Sequence, residues 1–201
     1  MEFSSNIHSR DGQRIQGWTL GMSLDPHPHM LDIHGVWPDR SGNRGYLVST
    51  RLDTDLTQCV PNASELTTTM RGVLDALTYL HKHSIVHGDV KAGNIFLSFA
   101  RDNAGKKTSV ISNVVLGDPE GLFRIPDWIH HTTFQLARRR DLLAWSYCFM
   151  DKMLYAEGFT FKQVDAFRKL HEAIATNNDQ EWALDGRLKD WVFDVYKFME
   201  R

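Results

Sequence analysis

The clearest pattern of apolar and polar positions along the chain runs from Ser64 to His83. Apolar residues recur there at intervals of three and four, which places them on one side of an α-helix. These positions are Leu66, Met70, Val73, Leu74, Leu77 and Leu80. Asn62 and Glu65 have the spacing of a capping box, which marks the start of a helix. The pattern therefore predicts an amphipathic helix over Ser64 to His83.

The segment that follows has the pattern of a β-hairpin. Ile95–Leu97 is a short apolar run and predicts a strand. Residues 100–107 form a polar turn that contains Gly105, and Val110–Leu116 predicts the second strand.

Further helices are predicted in the second half of the chain. Arg138–Met150 is apolar on nearly every side, as expected of a helix buried in a core. Apolar stripes at helical spacing predict two more helices, at residues 160–174 and 184–199. Together with the hairpin, these elements predict an α+β fold.

Length, charge and composition limit the function classes. The 201 residues fit a single domain, 1–201, and neither internal repeats nor linkers divide it. The balance of 23 basic and 25 acidic residues predicts neither a nucleic-acid nor a membrane partner. A polar N-terminus, the lack of a membrane-length apolar run and only two distant cysteines favour an intracellular location, cytoplasmic or nuclear.

The candidate chemistry lies just after the first predicted helix. His87, Asp89, Lys91 and Asn94 have the spacing H-x-D-x-K-x-x-N, which resembles the catalytic loop of protein kinases. The resemblance implies that Asp89 accepts the proton of an attacking hydroxyl group. It also implies that Lys91 neutralises charge on the transferred phosphoryl group and that Asn94 holds a magnesium ion.

Asp118 follows the predicted hairpin, in the sequence Asp-Pro-Glu-Gly. Protein kinases carry the aspartate of their D-F-G motif at this place, so the resemblance makes Asp118 the candidate ligand of the main magnesium ion. ATP and Mg²⁺ are the cofactors that the resemblance implies.

The resemblance to the eukaryotic protein kinase superfamily extends to both sides of this motif. Upstream, His27–Trp37 resembles the entry to the fourth strand of the small lobe, and Gly45–Leu56 resembles the fifth strand and the hinge. By this match the backbones of Thr50 and Leu52 face adenine. Asp55 then reaches the ribose, and Phe96 lies under the adenine ring. The resemblance implies a protein-kinase-like fold, with a reduced, β-rich N-lobe remnant and hinge at 1–52 and a mainly helical C-lobe at 53–201.

Arg138–Met150 resembles the central helix of the kinase C-lobe, in which Asp141 takes the place of an acid that hydrogen-bonds the catalytic-loop backbone. The pattern is most similar to the casein kinase one and vaccinia-related kinase groups. Gly88 stands where an arginine is usual, which removes the side chain that pairs with a phosphorylated activation loop. Activation by phosphorylation of that loop is therefore not expected.

Two departures from the kinase pattern predict weak activity. No glycine-rich loop with G-x-G-x-x-G spacing occurs before His27, and the first lysine of the sequence is Lys82. The groups that cover and position the ATP phosphates in a complete small lobe are therefore not found.

Every candidate residue also has a purely structural interpretation. Asp89, Lys91 and Asn94 suit a polar turn, Asp118 suits a turn before proline, and Asp141 suits a helix cap. Ten histidines invite a zinc site, but no paired cysteines or H-E-x-x-H motif accompany them.

Three functions remain open at this stage. The first is a serine/threonine protein kinase that transfers the γ-phosphoryl group of Mg-ATP to a protein substrate. The second is a pseudokinase that acts as a scaffold or as an allosteric regulatory partner of another protein. The third is a small-molecule kinase of the aminoglycoside or choline kinase type, against which Lys91 argues because such enzymes rarely carry a lysine there.

Overall fold

A computed structural model describes residues 10–38, 45–126 and 131–156, and residue 158. Helix α1, Arg10–Met22, comes first and is followed by strands β1, Ile33–Pro38, and β2, Gly45–Ser49. The two strands pair antiparallel, with Val36 opposite Leu47 and Trp37 opposite Tyr46. α1 lies against this sheet and also contacts the turn at Pro119–Gly121.

Helix α2 spans Ala63–Lys82 and confirms the strongest prediction from the sequence. The side chain of Asn62 accepts a hydrogen bond from the Glu65 N–H, and the Glu65 side chain accepts one from the Asn62 N–H, so the capping box is complete. The apolar stripe faces the interior, where Leu66, Met70 and Leu77 have no exposed surface. α2 therefore provides the central wall of the core.

The predicted hairpin is longer than its apolar runs indicated. Strand β5 spans Ile95–Arg101 and strand β6 spans Lys107–Leu116, so the turn is limited to residues 102–106. Asp102 stabilises that turn by accepting hydrogen bonds from the N–H groups of Ala104 and Lys106. Polar residues at the ends of both strands are exposed but still paired, which the apolar pattern does not reveal.

Three short elements complete the sheets around the hairpin. Strand β3, Thr54–Asp55, pairs with β5, which gives a three-stranded antiparallel sheet in the order β3–β5–β6. Strand β4, Ile85–Val86, pairs with strand β7, Phe123–Arg124. Two 3₁₀ turns, Ala92–Asn94 and Pro119–Gly121, lie next to these strands.

Helix α3, His131–Ala156, packs across α2 and is longer than predicted. Trp145 and Phe149 of α3 stack at 6.0 Å between ring centroids inside the main core. The Trp145 indole Nε1–H donates a 2.8 Å hydrogen bond to the Met70 carbonyl, which satisfies the ring nitrogen in the interior. The core therefore lies between α2, α3 and the β5–β6 hairpin.

Helix α1 was not predicted from the sequence. Gly17 and Gly21 interrupt its interior, and each glycine costs about 1 kcal/mol of helix stability relative to alanine. Packing compensates, since Gly17 and Trp18 are buried. The helices predicted at 160–174 and 184–199 lie outside the described residues. Within the described ranges, no helix is both long and apolar enough to cross a membrane.

One buried carboxylate ties α3 to α2 and to the loop after β4. Asp141 of α3 is 2% exposed. Its Oδ2 accepts hydrogen bonds from the His87 N–H, at 2.8 Å, and from His81 Nε2 of α2, at 2.9 Å. Its Oδ1 accepts from the Gly88 N–H at 2.9 Å. The predicted hydrogen bonding of Asp141 to this loop is confirmed.

We expect Asp141→Ala to lower the free energy of unfolding by roughly 3–5 kcal/mol, because two buried donors, on His81 and His87, and the partly buried Gly88 N–H lose their acceptor at once. Urea unfolding of the variant and the wild type measures this difference. Asp75→Ala, which removes an exposed carboxylate from α2, is the control and should change the value by less than about 0.5 kcal/mol. Equal losses in the two variants would contradict the role of Asp141.

Candidate active site

The residues of the catalytic-loop motif converge on the carboxylate of Asp89. The Lys91 ammonium lies 2.5 Å from Asp89 Oδ2, and the Asn94 amide nitrogen donates to the same oxygen at 3.0 Å. The Asn94 amide also donates to the Asp89 carbonyl at 2.8 Å, which holds the loop closed on itself. The pKa of Lys91 is raised, chiefly by its hydrogen bond to Asp89, so the lysine is a cation.

The register of the hairpin places Asn94 next to the turn that carries Asp118. Ile95 and Leu116 are paired at the ends of β5 and β6. One step beyond this pair, the Gly117 N–H donates a 2.8 Å hydrogen bond to the Asn94 carbonyl. Because Asp118 follows Gly117 directly, the two candidate metal ligands lie side by side at one end of the sheet.

His87 connects the catalytic loop to the same turn from the interior. Its Nδ1 accepts a hydrogen bond from the Asp89 N–H at 3.3 Å, so its Nε2 carries the hydrogen and donates to the Gly117 carbonyl at 2.9 Å. The side chain is 1% exposed, and desolvation lowers the pKa of His87. A neutral imidazole therefore links the backbones on which Asp89 and Asp118 stand.

The carboxyl group of Asp118 lies in an environment that disfavours its charge. Burial raises the pKa of Asp118, and the negative charges of Glu120 and Asp89 raise it further. A bound cation would relieve both costs, and carboxylate and amide oxygens are the donors that Mg²⁺ prefers. Asp118 and Asn94 therefore suit a magnesium ion chemically.

Within the part of the chain that the structure describes, no three His, Cys, Asp or Glu side chains converge to form a complete metal site. A magnesium ion that accompanies a nucleotide needs only one or two protein ligands, since phosphate oxygens and water fill the others. The oxygen donors of Asn94 and Asp118 match that arrangement. The same finding gives no support to a zinc site among the described histidines.

The predicted adenine contacts separate into two pairs. Thr50 and Leu52 line a cavity of about 680 Å³, which extends to His87, Gly117 and Pro119 beside the turn. Asp55 and Phe96 do not line it and instead face each other across the β3–β5 pair. The cavity also adjoins the end of α1 and the segment from Leu24 to Ile33, so N-terminal elements form one of its walls.

Asp55 and Phe96 already have partners within the chain. Asp55 Oδ1 accepts hydrogen bonds from the Thr57 N–H, at 2.7 Å, and from the Thr57 hydroxyl group. Burial opposes the charge of Asp55, but these hydrogen bonds prevail and its pKa is lowered. The Phe96 ring covers Gly117, where a β-carbon would lie 2.6 Å from the ring.

Sequence reasoning missed three contributors to this site. His81 is a buried donor to Asp141, Glu120 adds charge next to Asp118, and α1 packs on the turn. No signal in the sequence marks α1, because Gly17 and Gly21 disfavour a helix. Their four-residue spacing places both on one face only once the helix is known.

We expect the free energy of unfolding to fall as the pH drops below about 6.5, the ordinary pKa of histidine. The unfolded chain binds a proton on His87 that the folded state disfavours, because burial lowers this pKa. His87→Gln should reduce the fall, whereas His34→Gln, which replaces an exposed histidine, should keep it. Denaturant unfolding between pH 5 and 8 measures these slopes, and equal slopes for wild type and His87→Gln would refute the assignment.

Comparison with known proteins shows which family and which fold the chain resembles. Residues 9–110 match the protein kinase domain family. Over 80 residues the chain is 34% identical to serine/threonine-protein kinase PLK4 of Drosophila grimshawi. This match covers 36% of the present chain and 10% of that protein.

A chain in the crystal structure of the yeast RNA Pol II CTD kinase CTDK-1 complex superimposes with a TM-score of 0.51 at 18% identity. The superposition covers 72% of this chain and 50% of the yeast chain, so the present sequence spans about half of that chain's length. At this identity the likeness shows the fold, which is α+β and protein-kinase-like. Because the family match covers just over half of the sequence, the chain belongs to the protein kinase family.

Proposed function

We propose that the chain is a serine/threonine protein kinase domain that transfers the γ-phosphoryl group of Mg-ATP to a hydroxyl group of a protein. The convergence of Lys91 and Asn94 on Asp89, with Asp118 beside Asn94, is the observation that carries this proposal. Catalysis of phosphoryl transfer depends on positioning and electrostatics, which such a cluster supplies.

The residues have distinct roles in the proposed reaction. The substrate oxygen forms a bond to the γ-phosphorus, the bond from that phosphorus to the bridging oxygen of ADP breaks, and Asp89 accepts the hydroxyl proton. Before this step Lys91 turns from Asp89 toward the γ-phosphoryl group, whose negative charge it neutralises, and so frees the oxygen that accepts the proton. Asn94 and Asp118 would hold a magnesium ion, which would neutralise charge on the phosphates.

The nucleotide base is proposed to enter the cavity at Thr50 and Leu52, where the chain between β2 and β3 is exposed to it. Asp55 is a weaker candidate for a ribose contact, because Thr57 already occupies one of its oxygens. Phe96 contributes by supporting Gly117 from the side of the sheet. We place the small-lobe elements in residues 1–52 and the large lobe in 53–201.

A scaffold without catalytic activity is the competing proposal, and the Lys91–Asp89 ion pair favours it. That contact occupies the oxygen that must accept the proton, and both side chains are about half exposed, at 56% and 45%. An exposed pair of this kind contributes little energy, so a phosphate can displace the lysine. We therefore prefer the enzyme. We also propose a location inside the cell, with which the free thiols of Cys59 and Cys148 accord.

We expect Asp89→Asn to lower phosphoryl transfer by roughly 10²–10⁴-fold, the usual contribution of a general base. Asp118→Asn should lower it comparably, because a metal ligand is lost. Transfer of radiolabel from γ-labelled ATP to a generic protein substrate is the measurement, with Asp75→Asn as an exposed control on α2. Equal labelling by all four proteins would exclude the enzymatic function.

We also expect Mg-ATP to raise the melting temperature of the wild type by roughly 5–10 °C at a ligand concentration 100 times the Kd. ATP with a chelator should give a smaller rise, and Asp118→Asn should remove the difference between the two conditions. A rise without labelling would support the scaffold. No rise at saturating nucleotide would argue against nucleotide binding altogether.

A further inference from the structure

Helix α1 contacts the turn after Asp118 backbone to backbone. Gly17 and Gly21 lie four residues apart on one face of α1, and Gly17 is buried against the 3₁₀ turn Pro119–Gly121. A methyl group added to Gly17 would lie 2.6 Å from the Glu120 carbonyl oxygen and closer still to that of Pro119. No side chain therefore fits between the helix and the turn at this point.

The opposite side of the turn is packed just as closely. A β-carbon on Gly121 would lie 2.6 Å from the His87 carbonyl oxygen, and one on Gly88 would lie 2.9 Å from the Gly121 carbonyl oxygen. Gly88 also has a φ of +76°, which glycine adopts without strain. The absence of an arginine side chain at position 88 therefore has a second consequence, because it lets the catalytic loop touch the turn directly.

Asp118 itself adopts a conformation that needs external support. Its φ of 54° and ψ of 68° are left-handed, which is uncommon for residues other than glycine. Such a conformation persists when the surrounding structure holds it. The support comes from His87 and Asn94 through Gly117, and from α1 through the turn that follows.

We propose that Gly17 is a positioning residue, through which α1 holds the Pro119–Gly121 turn and thereby places Asp118 for metal binding. The proposal rests on the proposed function in one respect, namely that Asp118 holds the magnesium ion of the nucleotide. It assigns to α1 control of that ligand by direct backbone packing. A displaced α1 releases the turn, and Asp118 leaves the neighbourhood of Asn94.

Two glycine-to-alanine variants in the same helix test this role. Both add one methyl group to an interior position of α1 and gain the same helix propensity. At Gly17 the methyl group meets backbone carbonyl oxygens, so the turn must move. At Gly21 it meets side-chain atoms and no backbone, with Ile33 Cδ1 at 2.8 Å, Pro119 Cβ at 3.2 Å and Leu122 Cδ1 at 3.3 Å. The ends of Ile33 and Leu122 can rotate away, and the contact with Pro119 requires a shift of only a few tenths of an ångström.

We expect Gly17→Ala to raise the Mg²⁺ concentration required for half of the ATP-induced melting shift by roughly 10- to 100-fold, as loss of a supporting contact does at other metal sites. Gly21→Ala should keep the wild-type requirement. In the nucleotide-free proteins, the backbone amide NMR signals of Asp118 and Glu120 should shift in Gly17→Ala by clearly more than they shift in Gly21→Ala. A wild-type Mg²⁺ requirement with unmoved Asp118 signals in Gly17→Ala would overturn the proposal.

Failure of the proposed function is distinguishable from failure of this inference. If the wild type shows no response to Mg-ATP, nucleotide binding is refuted, and the NMR signals of the free proteins alone decide whether Gly17 positions Asp118. If Gly17→Ala does not fold, hydrogen exchange of the wild type decides. The Leu122 amide, which donates to the Pro119 carbonyl, should then exchange together with the amides of α1. Exchange of α1 while Leu122 stays protected would overturn the proposal.

Discussion

The carboxylate of Asp141 is the constraint on which the candidate site depends. It lies in the interior and is satisfied by three donors, two from the backbone of the catalytic loop and one from His81. A buried charge is tolerated only when it is fully hydrogen-bonded, so the loop cannot leave without a large cost. Helix α3 therefore holds the backbone at His87 and Gly88, which directly precede the candidate proton acceptor Asp89.

Two further contacts connect the catalytic loop to the turn that contains Gly117 and Asp118. His87 spans the interior as a neutral imidazole between the Asp89 N–H and the Gly117 carbonyl, and the hairpin register sets Gly117 against Asn94. Both connections use backbone groups, so they position the turn without competing for the carboxylates. His87 and Gly117 line the cavity, and the side chains of Asp89 and Lys91 are about half exposed.

Some parts of this arrangement were predictable because they are local. The capping box and apolar stripe of α2 are local in the chain, and the motif at residues 87–94 includes Asp89 and both residues that contact its carboxylate. Other parts depend on distant contacts. Helix α1 contains two glycines that disfavour a helix, and the engagement of Asp55 by Thr57 follows from loop conformation. The strand ends near Arg101 and Lys107 are polar and lack the apolar signal.

The sequence by itself determined the α2 helix and the hairpin, and it predicted the chemistry proposed for Asp89, Lys91, Asn94 and Asp118, because residue type and spacing encode these features. Only the tertiary structure decided that Asn94 lies beside Asp118, that His87 joins their backbones, and that Gly17 lets α1 reach the turn. These are contacts between residues as many as about a hundred positions apart. Close packing of backbones and burial of polar groups determine such contacts, and neither leaves a periodic trace in the chain.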